Sequence, residues 1–503
     1  SIHLENLDLK IVNGFIADLL NYTTDKTEGL AEIVHKKTHG NIFAIIHFLK
    51  NIEDEGILRF CIGTLGWKWD EDKIQCNTRV TDNVADILKL KINKKLSEEE
   101  TRVLQVASCL GGTFDSSHVL LVIDKLYNYS MLKTTSDKAE QNGGIIWNDL
   151  GPNKRPNVMT ILNICTQEGL IESDDGLHYR FAHDQILSAA LSLIPENKRA
   201  LLQIQTGQSL LEGMPNEKIE NNIFLITNLL NHGLKFASTD NKKRLQLLIL
   251  NLKASKKAMA SFAFGSATTY LKICCSLLGD DQWHNEASLS LDIFTTLAKA
   301  EFCNGNVTEV GKYVDKILNQ NLPIKEKADA FCVKISSCIF LEGEFANGMD
   351  VGLKALLLLG VEFPKKITKL THAREIIKTK YMLKGLCIDG LSHHPTMEDE
   401  NRLIAMNIMD RLTLSAYAAN PYLFVLIVLK MVQWSVSYGV SKYSSMAFVC
   451  YGLLLCGVMC DIEGGDKFAK AGLSILERFG ANDMESKVLF MYAGFVSHWT
   501  EPG

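Results

Sequence analysis

Ala258-Met259-Ala260-Ser261-Phe262-Ala263-Phe264-Gly265 and Ala298-Lys299-Ala300-Glu301-Phe302-Cys303-Asn304-Gly305 decide the fold. Alanine, phenylalanine and glycine recur at an offset of 40, and Leu278 recurs as Leu318 at the same offset. The next unit carries Leu341-Glu342-Gly343-Glu344 and then Gly352-Leu353-Lys354-Ala355-Leu356. Ile462-Glu463-Gly464-Gly465 and Gly472-Leu473 lie about three units further on. Helix, glycine-containing turn, helix, at a period of about 34–45 residues, is the signature of TPR-like or HEAT-like solenoids. One such pair cannot bury its apolar face alone, so neighbours stack into a superhelix. Residues 196–503 are therefore expected to form a TPR-like helical repeat superhelix, with a large irregular helical domain as the alternative. Only 9 prolines in 503 residues suit long uninterrupted helices.

Upstream, residues 81–195 have the outline of a winged helix. Val84–Leu96 reads as one helix. Ser97 and Glu100 form a capping box that opens the next, which stops at Gly111-Gly112. A Lys-, Asn-, Gly- and Pro-rich insertion, 128–157, precedes a third helix, Val158–Glu168. Leu170–Ser173 and Leu177–Phe181 about Asp174-Asp175-Gly176 give a hairpin. Residues 59–80, with Arg59–Ile62 and Gly66–Asp70 around Gly63-Thr64, read as a short extended linker rather than a core. Residues 1–58 read as three helices, the first with Leu7, Ile11, Phe15 and Leu19 at helical spacing. The turn between the second and third is Thr38-His39-Gly40-Asn41. The chain opens in mid-pattern and closes just after an apolar helix, so a fragment of a longer polypeptide, with a truncated superhelix, is expected. No charged start precedes an apolar core, and no signal peptide is expected.

Composition narrows the function classes. Apolar residues make up 47% and charged residues 22%, with a net charge of −5. That balance gives no global attraction to nucleic acid. Thirteen cysteines without a CxxC pair read as reduced thiols in a cytoplasmic protein. Tyr443–Cys460 has no charge over 18 positions, near the lower limit for a membrane span, but reads as a buried repeat helix. The sequence holds no phosphate-cradling G-x-x-x-x-G-K-[ST] loop, no GxGxxG after a strand, and no HExxH. Cys456 and Cys460 lack a second ligand pair and read as packing cysteines. His393-His394 reads as a loop with two exposed imidazoles. The third helix of the winged-helix outline has no lysine or arginine, which argues against a DNA-reading role.

Two features remain as candidate sites. Phe181-Ala182-His183-Asp184 ends a strand and opens a helix. Asp184 is the expected N-cap, and His183 sits at a helix start that favours anions. Lys365, Lys366, Lys369, Arg374, Lys378, Lys380 and Lys384 form a basic stretch relieved by Glu375, of which Lys365, Lys366 and Lys369 are the candidate partner contacts.

Taken together, these pieces resemble the STAND-type signalling ATPases related to AAA+ proteins. Lys37-Thr38-His39-Gly40-Asn41-Ile42-Phe43 is similar to the family's KTxGNPFF turn in its helical lid, with Ile42 in place of the proline. Trp67-Lys68-Trp69-Asp70 resembles its WxWD. Thr81-Asp82-Asn83-Val84 resembles the start of its winged helix, and Phe181-Ala182-His183-Asp184 with Ala189-Ala190 its FxHDxxxxAA. Leu250-Asn251-Leu252, Ala254, Ala258 and Trp283 resemble the start of its TPR-like arm. The resemblance implies a mainly α chain: lid at 1–58, linker at 59–80, winged helix at 81–195, arm at 196–503. It implies ATP or ADP bound by a nucleotide core upstream of residue 1, with no cofactor held by this chain alone. His183 and Asp184 would sense nucleotide phosphate, and Gly40 and Asn41 would belong to the lid turn. It places such a module within large sensor kinases, between a protein-kinase-like domain and a histidine-kinase end. The chain would then be regulatory, without an active site, meeting a protein partner or its own nucleotide core, with no nucleic acid and no membrane span. A free-standing helical-repeat adaptor and a winged-helix transcription regulator are the alternatives.

Overall fold

Val12, Ile16 and Leu20 set the first helix into its core, and they are not the row that the spacing of Ile11 and Leu19 predicts. The helix, α1 (Leu9–Leu20), carries two apolar rows, and Ile11 and Leu19 are left more than half exposed. The computed structural model describes residues 6–77, 84–133, 156–234, 240–279, 281–364 and 366–500. Thr81-Asp82-Asn83, Lys365 and most of the 128–157 insertion lie outside the described residues. The fold is mainly α and divides into two compact units, Ser1–Leu247 and Leu248–Gly503. The division falls inside a helix, Asn241–Ala260, and not at 195–196.

In the first unit, α1 packs on α2 (Thr24–Thr38), which packs on α3 (Ile42–Asp54). Leu30, Val34, Ile45, Phe48 and Ile52 fill the space between them. Residues 59–77 join this core rather than merely linking it. Strands β1 (Arg59–Cys61) and β2 (Gly66–Lys68) form an antiparallel hairpin. Trp67 and Trp69 pack on the helices, and the Tyr22 hydroxyl donates to the Trp67 carbonyl at 3.0 Å. A short helix, α4 (Glu71–Asn77), adds the buried Ile74.

The following segment runs α5 (Val84–Lys95), α6 (Glu98–Leu110), β3 (Thr113–Asp115), α7 (Ser116–Lys133), α8 (Val158–Gln167), β4 (Ile171–Glu172), β5 (His178–Phe181) and α9 (Asp184–Ser192). The capping box is present: Ser97 N–H donates to the Glu100 carboxylate at 2.7 Å, and Glu100 N–H to the Ser97 hydroxyl at 3.3 Å. The strands form one antiparallel sheet in the order β3-β5-β4. The sequence reading lacked β3 and α7. The run Val119-Leu120-Leu121-Val122-Ile123 is β-branched enough to mask its helical spacing, yet Val119, Val122, Ile123 and Leu126 are the buried positions. Helix α10 (Glu196–Gly213) packs on α7 and on α12 (Ile223–Asn231), which follows the short α11 (Asn216–Asn221).

The second unit is a stack of antiparallel helix pairs, TPR-like in arrangement. It contains most of α13 (Asn241–Ala260), then α14 (Phe264–Leu277), the short α15 (Gln282–Asn285), α16 (Ala287–Cys303), α17 (Val307–Leu318), α18 (Ile324–Ser336) and α19 (Phe345–Leu358). Helix α20 (Lys369–Leu383) follows, then α21 (Glu400–Ala419), α22 (Pro421–Tyr438), α23 (Lys442–Met459), α24 (Ile462–Phe479) and α25 (Asn482–Phe495). The repeat is real, but its 40-residue register is not. Second helices start at Phe264, Val307 and Phe345, spacings of 43 and then 38 residues. A left-handed residue stands two places before α14, α17, α19 and α24: Phe262, Gly305, Gly343 and Cys460, with φ of 58°, 76°, 71° and 55°. Phe262 therefore matches Gly305, not Phe302, which lies within a helix. Gly265 lies inside α14 and matches no turn glycine. The alanines Ala258 and Ala298 are both fully buried.

Residues 421–459 form the centre of this unit. Helices α22 and α23 are each long and apolar enough to cross a membrane by length and composition alone. Here they are core helices, with Phe424, Ile427, Phe448 and Tyr451 buried in one cluster. Helix α24 crosses α23 at backbone distance. A Cβ on Gly472 would stand 2.6 Å from the Ser445 carbonyl oxygen, and one on Gly465 2.8 Å from that of Gly452. His394 is not a free loop imidazole: its Nε2 lies 3.0 Å from the Val436 carbonyl. Arg478 donates to the Ser392 and His394 carbonyls at 2.7 Å, pinning the same loop.

Candidate functional site

Strand β5 delivers His183 to the surface of the first unit. Phe181 N–H donates to Gly112 at 2.9 Å and Ala182 N–H to Leu170 at 3.1 Å, so the chain leaves the sheet in a fixed direction. His183 is extended, with φ −158° and ψ 149°, and it is the N-cap of α9. Its Nδ1 accepts from the Gln185 N–H at 3.1 Å. This corrects the sequence reading, which gave the cap to Asp184. Asp184 is the first helical residue, exposed, its carboxylate in the first turn where the helix dipole favours negative charge. The cap has a chemical consequence. With Nδ1 used as an acceptor, the neutral ring carries its proton on Nε2, as a donor. Ala189 and Ala190, fully buried, let α9 seat closely against α5 and α6.

Sequence reasoning missed His47, which His183 influences electrostatically, and the lysines around it. His47, on α3, has its pKa lowered to about 4, first by burial and then by Lys91, Lys50 and His183. Lys91, on α5, is also lowered, by burial and then by Lys50, while Asp54 and Glu168 oppose the shift. Helices α3 and α5 thus bring the ammonium groups of Lys50 and Lys91 into repulsion beside the neutral His47 ring. Two ion pairs border the same region, Lys94–Glu55 at 3.4 Å and Lys95–Glu168 at 3.5 Å. An oxyanion placed here would relieve the repulsion, and the Nε2–H of His183 can donate to it. The only sequence signal was His47 and Lys50 at i, i+3 on one helix face. Nothing in the sequence joined them to residue 91 or 183.

The structure gives Gly40 and Asn41 local work. Gly40 has φ +74°, and a Cβ there would collide with the Leu7 backbone, whose N–H donates to the Gly40 carbonyl at 2.9 Å. Asn41 caps α3, its side-chain oxygen accepting from Ala44 N–H at 3.1 Å. The turn therefore fixes where α3 begins, and α3 carries His47, whose pKa His183 helps to lower. Lys366 and Lys369 are exposed in the second unit, Lys369 being the first residue of α20.

A cavity of about 620 Å³ lies elsewhere in the first unit, lined by Phe114, Asp115, His118, Arg180, Lys218 and their neighbours. At its rim Arg180 pairs with Glu172 at 2.8 Å, and His178 with Asp175 at 2.6 Å. Among the described residues no group of three or more His, Cys, Asp or Glu side chains is arranged to hold a metal ion.

No family model matches the chain. It is 25% identical over 564 aligned residues to hybrid signal transduction histidine kinase G of Dictyostelium discoideum. The alignment covers 99% of this chain and 16% of that protein, so the chain spans about a sixth of the length of the curated relative it matches. A crystal structure from Pyrococcus horikoshii, of a signal transduction ATPase with numerous domains (STAND) protein with a tetratricopeptide repeat sensor, aligns over 99% of this chain and 75% of that one. The identity is 12% and the TM-score 0.28.

Proposed function

We propose that this chain is the regulatory, protein-interaction region of a multidomain signalling protein, coupling nucleotide state to partner binding. The observation that carries the reading is the likeness to a hybrid signal transduction histidine kinase along 99% of the chain. In this reading ATP or ADP is bound by a core outside residues 1–503, and the chain contributes no active site. His183 presents Nε2–H to a nucleotide phosphate, and its Nδ1 is occupied by the cap, so the ring is held in the donating tautomer. Lys50 and Lys91, the cations that help hold the His47 ring neutral, add positive field. The stacked helix pairs of 248–503 supply the partner surface, as repeat arrays do. The setting is cytoplasmic, and no nucleic acid is bound.

The experiment uses the full-length protein and two variants. His183→Asn keeps a side-chain oxygen for the N-cap and removes the Nε2 donor. His183→Ala removes both. Loss of one hydrogen bond to a charged phosphate costs about 1.5–3 kcal/mol, about ten- to a hundredfold in affinity. Calorimetry is expected to show ADP binding weakened in that range in both variants. ADP binding unchanged in His183→Asn reduces His183 to a structural cap and removes the nucleotide part of the proposal.

A further inference from the structure

Helix α20 is anchored on one side only. Thr379 is fully buried, and the Gln433 amide donates to Thr379 at 3.0 Å and to Glu375 at 3.1 Å. His372 stacks on Tyr422, ring centroids 5.5 Å apart, and its Nε2 lies 2.8 Å from the Tyr422 carbonyl. These contacts fix the helix on α22 and leave the opposite face outward. That face carries large apolar side chains: Leu370 is 80% exposed, Ile377 67% and Tyr381 79%. At 3.6 residues per turn the three lie within about 40° of one another, in a row about 16 Å long. Arg374 and Lys378 flank the row on one side, and Lys369, Lys380 and Lys384 on the other. Among the described residues, none of these five cations has an ion-pair partner. The only acid on the helix, Glu375, is turned toward Gln433. A chain of net charge −5 thus displays a cationic, apolar ridge on a rigid helix.

We propose that this face of α20 is the docking site for an acidic amphipathic helix of a partner protein. The pattern is half of a coiled-coil seam. Leu370, Arg374, Ile377, Tyr381 and Lys384 fall at a and d spacing, with Lys378 and Lys380 at flanking e and g positions. The complement is a helix with apolar residues at a and d and Glu or Asp on both flanks. A lipid surface is the competing occupant for a cationic, apolar helix. Two features favour the protein. Arg374 and Lys384 stand close beside the apolar row, where they would resist insertion into hydrocarbon and would pair with carboxylates. The apolar row is also one side chain wide, the footprint of a helix ridge rather than of a membrane-inserted face. The proposal rests on the reading that the repeats bind protein, and it deepens that reading by naming the surface and the partner's chemistry.

The test uses the whole chain and a labelled three-heptad synthetic helix, with Leu at a and d and Glu at e and g. A twin peptide carries Lys at e and g. Fluorescence anisotropy is expected to show binding of the Glu peptide, little binding of the Lys peptide, and weakening as salt is raised. The double variant Lys378→Glu, Lys380→Glu should weaken Glu-peptide binding about tenfold or more, and Ile377→Ser should weaken it at all salt concentrations. All three side chains point outward, so melting temperatures should match wild type, and circular dichroism checks this. Equal binding of the two peptides, or indifference to the double reversal, overturns the proposal. So does pelleting of the chain with phosphatidylserine-rich vesicles while the Glu peptide is ignored, which assigns the face to lipid. The wider reading has its own readout, the full-length protein as bait in native extract. A protein retained equally by wild type and by the double variant overturns this face and leaves the interaction reading standing. If wild type retains nothing, the interaction reading loses its support, and the peptide arm still decides the face.

Discussion

A histidine that caps a helix through Nδ1 does two things at once, and the two are separable by substitution. The cap satisfies one of the orphan amides of α9. Losing an N-cap costs about 0.5–2 kcal/mol. His183→Ala should therefore lower the stability of the isolated chain by about 1 kcal/mol in urea, while His183→Asn should leave it within a few tenths. Equal loss in both variants would mean that the ring, not the acceptor, holds the helix start. His47 gives a second prediction at this scale, with a definite sign. Its folded pKa of about 4, set first by burial and then by Lys91 and Lys50, lies below the unfolded value of 6.5. Between those limits the unfolded chain binds more protons, so stability is present above about pH 6.5 and is lost as pH falls toward 4. His47 is only half buried, so the loss after allowing for solvent screening is about 1–2 kcal/mol. The variant His47→Gln should flatten the urea midpoint against pH across this window. A midpoint that still falls equally in the variant assigns the acid sensitivity to other groups.

At the scale of elements, the helix pairs show which chemistry the repeat protects. What recurs is a backbone conformation two residues before α14, α17, α19 and α24, filled by glycine twice, by phenylalanine once and by cysteine once. A letter-for-letter match cannot see a conformation. The offset of 40 therefore found the right kind of fold from partly non-equivalent residues, and the length of each connection set the true spacings. The same limit explains α7, whose β-branched run hid a helical period, and α1, whose two apolar rows left the choice of buried face to tertiary packing. The capping box at Ser97 and the hairpin at Asp175-Gly176 were legible, because each is a local bonding pattern written in side chains. The site was half legible. His183 stood out by its motif, whereas the grouping of His47, Lys50 and Lys91 arises only through folding. The close crossing of α23 and α24 shows the opposite case, in which small residues carry the information. Gly452, Gly465 and Gly472 let two backbones touch, and the apolar, charge-free stretch around Gly452 is the buried partner of that contact. Gly465→Val should force the helices apart and destabilise the second unit by about 1–3 kcal/mol, the usual cost of overpacking. Native-state hydrogen exchange should show the loss along residues 442–479. A variant with unchanged protection there would mean the crossing relaxes without cost.

For the whole molecule, the two proposals make a joint demand. One places a phosphate contact at His183 in the first unit, and the other places a docking ridge on α20 in the second. If the chain couples nucleotide state to partner binding, the coupling is a free energy that must read the same from either end. ADP bound to the full-length protein would then change the affinity of the Glu peptide for α20, and the peptide would change the affinity for ADP by the same factor. Coupling of this kind typically amounts to about 5- to 150-fold. The size is bounded by the difference in each ligand's affinity for the two states, whatever its absolute affinity. The measurement is a pair of titrations on the full-length protein: peptide with and without saturating ADP, and ADP with and without saturating peptide. Equal factors above about fivefold support coupling through the protein. If His183 is the residue that distinguishes the nucleotide states, His183→Asn should reduce both factors together. Two titrations that ignore each other would leave His183 and the α20 ridge as independent sites, and the helical arm would then bind its partner without reporting nucleotide state.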